Sequence, residues 1–432
     1  MGRKSKSHSD PSTSMTKKKA KAVKEDEKVG STDIISELPP YIVTDILSRL
    51  PFNSVLSCRC VCKTWLHLLM DPSFAQLYHT RAHPCIILQP TYKYRNQHLY
   101  AVHFDNKKHV RKSSTRVKFA TKTHLCMGCD VKLSLLDSCN GLILLGDQHH
   151  YHDFVRLDQL YVCNPITGEF VIIKHKPGIN LTSYNACLCL GFCPKTQVYK
   201  VVLLSKQQYG VNSVLTLVYT LGVKGNGLWK SVNVGNDLDY QPRITTFLNG
   251  IIHWVVISTY VPQFIYSFDV EDECFRFVPP PPEFVSPEQT TWSKWNICLG
   301  VLEGCLAISE HAKDVYFHIW VMKDYGVQAS WTKAYTMDIT MEKIARLLPI
   351  TQILGLCHNG DILFTFQNRN LVSFNPANSS FKLHRIESLY YFNNVLPYIP
   401  NFSSLRDIAR GEPPFNATLR CLPQIKSIQR VH

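Results

Sequence analysis

The chain has 432 residues, 45% of them hydrophobic, and a formal charge of +14. This composition can bury cores for about two to three domains, and no apolar run nears the ~20 residues that a membrane-crossing helix needs. The charge is local: residues 1–30 hold nine Lys/Arg against four acids, and 106–122 hold seven Lys/Arg and no acid, so the near-neutral remainder argues against a fold built as a nucleic-acid surface.

Residues 1–32 are Lys- and Ser-rich and hold few large apolar groups, which reads as a disordered basic tail. Lys17-Lys18-Lys19-Ala20-Lys21 is a candidate nuclear-import patch, so the nucleus and/or the cytoplasm is the expected location. The N-terminus shows no apolar secretory leader. The sixteen scattered cysteines therefore read as reduced, buried small hydrophobes.

Residues 33–80 change texture. Ile42, Val43, Ile46, Leu47 and Leu50 form one apolar stripe, and Val55, Cys58, Cys62, Leu66 and Leu69 form the next. Three- and four-residue steps place such residues on one helix face. Pro51 separates the stripes because it lacks the amide hydrogen a helix interior uses. Pro39 and Pro40 suit a helix start, and Asn53 suits the cap of the second helix. Asp71-Pro72 opens a third, carrying Phe74, Leu77 and Tyr78. Three short helices cannot make a large core alone, so the unit needs a partner surface or tight docking to the rest of the chain.

The order Leu38-Pro39, Ile46-Leu47, Arg49-Leu50-Pro51, Val55, Val61, Lys63 and Trp65, then Asp71-Pro72 and Phe74, resembles an F-box. That resemblance implies binding to a Skp1-like adaptor and, through it, to cullin and RING subunits of a ubiquitin ligase. Carried onto this sequence, it implies adaptor contacts at Leu38, Pro39, Ile46, Leu47, Leu50, Pro51, Val55 and Val61; Trp65 is expected to pack the unit internally or against the β domain.

From Cys85 to about residue 392 the chain reads as short strands separated by turn residues. Leu142–Leu145, Phe170–Ile173, Tyr199–Leu204, Val214–Tyr219 and Ile265–Phe268 are examples. Met341–Leu348 is the one helical candidate. Asn140-Gly141, Asn249-Gly250, Glu303-Gly304 and Asn359-Gly360 each precede an apolar strand, and Asn-Gly favours a tight antiparallel hairpin. A hairpin-plus-strand unit recurring at intervals of about 50 to 110 residues suggests propeller blades. Trp229, Trp254 and Trp331 would then pack between blades. Pro279–Pro282 reads as an exposed loop.

Ser138-Cys139-Asn140-Gly141-Leu142, Cys163-Asn164-Pro165, Gly191-Phe192, Tyr199-Lys200-Val201-Val202, Phe247-Leu248-Asn249-Gly250 and Ile319-Trp320-Val321-Met322 together resemble the F-box-associated domain found beside plant F-boxes, which is related to Kelch-like propellers. The expected architecture is an α+β multidomain chain: an F-box at 33–80, an all-β, propeller-like substrate-recognition domain at 81–392, and an irregular tail at 393–432.

The chemistry-bearing residues point to binding. Cys126 and Cys129 have metal-ligand spacing, but a structural zinc wants four ligands, and Cys187, Cys189 and Cys193 read as structural. No metal site and no cofactor is expected. His149, His150 and His152 read as a solvated turn. Cys139 has no histidine base fixed beside it, and the chain holds no phosphate-cradling Gly-rich loop, no His-Glu-x-x-His and no Gly-x-Ser-x-Gly, so no enzyme chemistry is expected. The basic stretch with Lys108, Arg111 and Lys112 is a candidate contact for an acidic or phosphorylated target. The resemblance thus implies a non-catalytic substrate receptor of a Skp1-cullin-F-box ligase. Two alternatives stand beside it: a Skp1-binding scaffold acting outside a ligase, and a nucleic-acid-associated protein using the basic segments.

Overall fold

The computed structural model describes residues 38–90, 98–102, 114–118, 132–151, 154–173, 186–206, 214–222, 229–233, 245–255, 265–285, 297–312, 316–338, 350–357, 359–366, 370–384, 392–409 and 415–416. The chain divides into two compact units, Met1–Val43 and Thr44–His432. In the first, the described residues form a helix start. The amides of Ile42 and Val43 both reach the Pro39 carbonyl, at 2.9 and 3.3 Å.

Four short helices, one more than expected, open the described chain: α1 (Pro40–Ser48), α2 (Phe52–Cys58), α3 (Lys63–Met70) and α4 (Pro72–Arg81). The second apolar stripe is divided between α2 and α3. Cys62 is extended (φ −156°) and its thiol accepts the Trp65 amide at 3.4 Å, so it caps a new helix. Helix α2 starts at Phe52 directly after Pro51 and has no side-chain cap from Asn53. Asp71 caps α4 as expected, its Oδ1 accepting the Ser73 amide at 2.7 Å.

The β region is a six-bladed propeller. The first sheet holds β1 (Cys85–Pro90), β2 (His98–Val102) and β3 (Ser114–Lys118); the second holds β4 (Lys132–Cys139), β5 (Leu142–Tyr151), β6 (Phe154–Cys163) and β7 (Glu169–Ile173). The third holds β8 (Ala186–Cys193), β9 (Val198–Lys206), β10 (Val214–Thr220) and β11 (Lys230–Val232). The fourth holds β12 (Thr245–Leu248), β13 (Ile251–Val255), β14 (Ile265–Asp269) and β15 (Cys274–Val278). The fifth holds β16 (Cys298–Leu302), β17 (Cys305–Ala312), β18 (Tyr316–Met322) and β19 (Trp331–Asp338), and the sixth β20 (Ile350–Leu356), β21 (Ile362–Phe366), β22 (Asn370–Asn375) and β23 (Ser380–His384). Strand β24 (Phe392–Tyr398) then returns to the first sheet and pairs antiparallel with β1, from Cys85↔Tyr398 to Pro90↔Phe392. This closes the ring. A short β25 (Phe415–Asn416) adds to the edge of β7.

Three of the four expected hairpins have the required geometry, and at the fourth Gly360 takes φ +82°. Asn140 and Gly141 sit at φ +46° and +87°, Asn249 and Gly250 at +49° and +87°, and Glu303 and Gly304 at +52° and +73°. Positive φ at both central residues matches the right-handed strand twist. The equivalent hairpin of the third sheet lacks the Asn-Gly signal. There Gln197 takes φ +57°, and its side chain donates to the Pro194 carbonyl at 2.7 Å.

Apolar cores sit between neighbouring sheets, as both faces of a blade must be covered. Trp254 is fully buried among Cys189, Val202 and Phe268, between the third and fourth sheets. Trp331 packs with Val278, Leu299 and Ile308, between the fourth and fifth. Trp229 packs against the cluster shared by the second and third.

Three expectations are corrected. Residues 393–432 are not an irregular tail throughout, because β24 supplies the closing strand. His149 and His150 lie in β5, opposite Arg156 and Val155, and do not form a turn. Pro280 and Pro281 are buried. The Pro279 and Pro280 carbonyls accept from Trp331 Nε1 (2.7 Å) and Gln328 Nε2 (3.1 Å), so this run seals the fourth sheet to the fifth.

Candidate functional site

The expected adaptor-binding residues divide by burial. In the first unit Leu38 is half-buried and Pro39 exposed. In the second, Leu47 (1% exposed) and Val55 (0%) belong to the chain's own core and leave the candidate contact set. A helix of one or two turns has to turn its most apolar face inward before it can offer anything outward. Ile46 is 47% exposed and Val61 63%, Pro51 is exposed and Leu50 half-buried. Ile46 presents apolar surface on α1, and Leu50, Pro51 and Val61 present it in the turns that flank α2.

Sequence reasoning missed what holds these helices together. Asp45 accepts from Arg49 Nε at 3.0 Å and from Arg81 Nη1 at 2.6 Å. Hydrogen bonds from these guanidinium groups hold the Asp45 carboxyl below its usual range. Arg81 thus ties the end of α4 to residues 45 and 48, donating also to Ser48 Oγ at 2.7 Å. The Tyr78 hydroxyl donates to the Leu50 carbonyl at 3.2 Å. The Asp45–Arg49 pair has helical four-residue spacing, but no spacing rule finds the others, whose partners lie 28 to 36 residues apart.

The ring has two unlike faces. In the second to sixth sheets, turns between first and second strands, and between third and fourth, lie at one end because neighbouring strands are antiparallel; in the first sheet the Cys85–Tyr398 end of the β1–β24 pair takes that place. This end carries the tight turns at Gly141, Gly168, Gly250 and Gly304. Helix α4 lies on the same face, since Phe402, which follows β24, packs edge-on against Phe74 and Tyr78. The strand ends at which one sheet passes to the next, such as Ile173 and Ala186 or Val278 and Cys298, lie at the opposite face.

Lys108, Arg111 and Lys112 lie outside the described residues, as do Cys126, Cys129 and Met341–Leu348. The strand ends flanking the basic segment, Val102 and Ser114, pair with each other. Val102 also pairs with Ile86, beside the Cys85–Tyr398 end of the first sheet. The Tyr398 hydroxyl donates to the Gly141 carbonyl, which puts both strand ends on the α4 face.

Buried titratable groups are held by structure. The Asp137 carboxylate accepts the Leu190 and Ser138 amides, each at 2.8 Å; burial pushes its pKa up to about 7, against those bonds. Burial holds the Cys139 thiol well above its usual range, which disfavours a nucleophilic thiolate. His253 is fully buried. Its Nδ1 faces the Thr246 carbonyl at 3.2 Å and must donate, so Nε2 accepts from the Tyr325 hydroxyl at 2.6 Å. Burial brings this imidazole down to about 4. A cleft of about 280 Å³ lies between the fourth and fifth sheets, lined by Leu248, Asn249, Leu306, Met322, Lys323 and Tyr325. Among the described residues no three His, Cys, Asp or Glu side chains are grouped to hold a metal ion.

Comparison with known proteins follows this division. Residues 35–77 match the family described as "F-box domain", and residues 91–395 match "F-box associated beta propeller domain". The chain is 25% identical over 405 residues to "F-box protein At3g07870" of Arabidopsis thaliana, covering 84% of this chain and 91% of that protein. It is 24% identical over 384 residues to the Arabidopsis "F-box/kelch-repeat protein At3g23880", covering 86% and 96%. Among solved structures, TolB from Acinetobacter baumannii aligns at a TM-score of 0.40 and 10% identity, over 78% of this chain and 73% of that one. The second match runs through nearly the whole ring, and the first through the helices before it: the chain belongs to the F-box-associated β-propeller family and is a plant F-box protein.

Proposed function

We propose that this protein is the substrate-recognition subunit of a Skp1-cullin-F-box ubiquitin ligase. Family membership supports that role in general. The observation that carries the finer reading is the apolar exposure of Ile46 on α1 and of Val61 in the turn between α2 and α3, beside inward residues that belong to the chain's own core. Water-exposed apolar side chains on a firmly held surface suit a protein partner, here a Skp1-type adaptor. Ile46, Leu50, Pro51 and Val61 are the proposed contacts in the second unit. The target binds the ring at the face opposite α4, at the strand ends where a rigid scaffold passes from one sheet to the next. The protein does no bond chemistry itself. It raises the effective concentration of the target at a ubiquitin-charged enzyme.

The test is direct. Purified full chain mixed with a Skp1-type adaptor forms a one-to-one complex in size-exclusion chromatography with light scattering. Ile46→Asp and Val61→Asp each weaken that complex by about tenfold or more, with little change in the thermal midpoint. A wild-type chain that binds no adaptor, or charged variants that bind it equally well, overturns the reading.

A further inference from the structure

Helix α4 reaches β1 through residues 82–84 alone. So short a link limits distance but leaves direction open. Direction is set elsewhere. Phe74, Ala75 and Tyr78 are the buried residues of α4, and Phe402 is the ring that meets Phe74 and Tyr78. Its centroid lies 4.8 Å from Tyr78 at 85° and 5.8 Å from Phe74 at 69°, the edge-to-face geometry that aromatic quadrupoles favour. Phe402 is only 6% exposed.

Phe402 is anchored on both sides. Before it, Asn401 donates to the Asn140 carbonyl at 3.2 Å. Asn164 Nδ2 donates to the carbonyls of Asn401 (3.0 Å) and Ser403 (2.8 Å). After it, the Glu169 carboxylate accepts the Ser404 hydroxyl at 2.9 Å and the Leu405 amide at 2.6 Å, and Arg406 Nε lies 3.6 Å away. Leu405 and Ala409 then enter the core shared by the second and third sheets.

We propose that residues 399–409 are a positioning strap. They hold α4 at one angle on the ring, so that a target bound by the propeller is presented at one place in the ligase. Phe402 is the wedge and Glu169 the anchor, and both act through α4 without touching the target. The strap follows β24, whose pairing with β1 closes the ring, so the helices gain this hold only on a closed propeller. The proposal rests on the adaptor reading above.

The test compares full-length wild type with Phe402→Ala, Glu169→Ala and the conservative Phe402→Leu. Hydrogen exchange, affinity for a Skp1-type adaptor, and the spread of ubiquitin over the chain's own lysines in the assembled ligase are measured. Phe402→Ala and Glu169→Ala speed exchange in residues 72–81 by about tenfold or more, because a docked element opens at its own free energy. Strands β12 to β15 keep their protection. Adaptor affinity stays within about twofold, ubiquitin spreads to more lysines, and Phe402→Leu restores most of the wild-type pattern. Unchanged exchange at 72–81, exchange rising equally in all six sheets, or an unchanged ubiquitin pattern overturns the strap. A wild type that binds no adaptor refutes the functional reading instead, and the exchange data still decide whether α4 is strapped.

Discussion

Replacing Gly141 by alanine adds a methyl group where none fits. The added Cβ would lie 2.1 Å from Asn401 Cβ, and the backbone there holds φ +87°. Gly304 takes the equivalent turn of the fifth sheet at φ +73°, with nothing within 4 Å of an added Cβ. Gly304→Ala therefore costs backbone strain alone, about 1–2 kcal/mol. Gly141→Ala carries that strain and also displaces Asn401. The three hydrogen bonds linking Asn140 and Asn164 to Asn401 and Ser403 contribute about 1 kcal/mol each. Part of the Phe402 ring contact goes with them, about 1 kcal/mol more. The two variants should thus differ by about 3–4 kcal/mol in urea unfolding, and only Gly141→Ala should expose residues 72–81 to hydrogen exchange. Equal losses in the two variants would show that Asn401 yields freely and that its anchoring contributes little.

Other outcomes follow from the same packing. In Gly300→Ala the new Cβ meets Ile353 Cβ at 2.5 Å and Ile353 O at 3.0 Å; neither can swing aside, so about 2–3 kcal/mol should be lost in thermal or urea unfolding. Gly191→Ala meets the tip of Val270 at 2.6 Å, and adding Val270→Ala should restore most of its loss in the same melts. Tyr325→Phe removes the donor to His253 Nε2 and should cost about 1–3 kcal/mol while adaptor binding is unchanged. Burial brings His253 and His384 down to about 4. The unfolded chain then takes up protons first, so stability should fall as pH drops from about 6.5 towards 4, by up to about 3 kcal/mol for each. Asp137 has the opposite sign: raised to about 7 by burial, it favours the fold at low pH and loses that contribution as pH rises towards 7. Urea midpoints of His384→Gln and Asp137→Asn, each set against the parent across this range, should show slopes removed in opposite directions.

Much of the local structure was legible in the residues themselves. Asp71-Pro72 marked a helix start because a capping carboxylate and an amide-free first turn act within a few residues. Asn140-Gly141 and Asn249-Gly250 marked hairpins because positive φ is a property of those two positions alone. The tryptophans marked the spaces between sheets because a large apolar ring must be covered by something. Cys62 was misread for the opposite reason: its helical spacing continues the stripe of α2, and only the extended backbone there divides that stripe in two.

The sequence by itself determined the two textures of the chain, the helix starts and the turn positions, since each depends on neighbours a few bonds away. Tertiary structure alone decided the number of blades, the closure of β1 by β24, the inward turn of Leu47 and Val55, and the seat of Phe402 against Phe74 and Tyr78. These pairings join residues whose separation along the chain leaves no periodic trace. The same apolar side chain can fill a core or meet a partner, and only the surfaces that arrive beside it determine which.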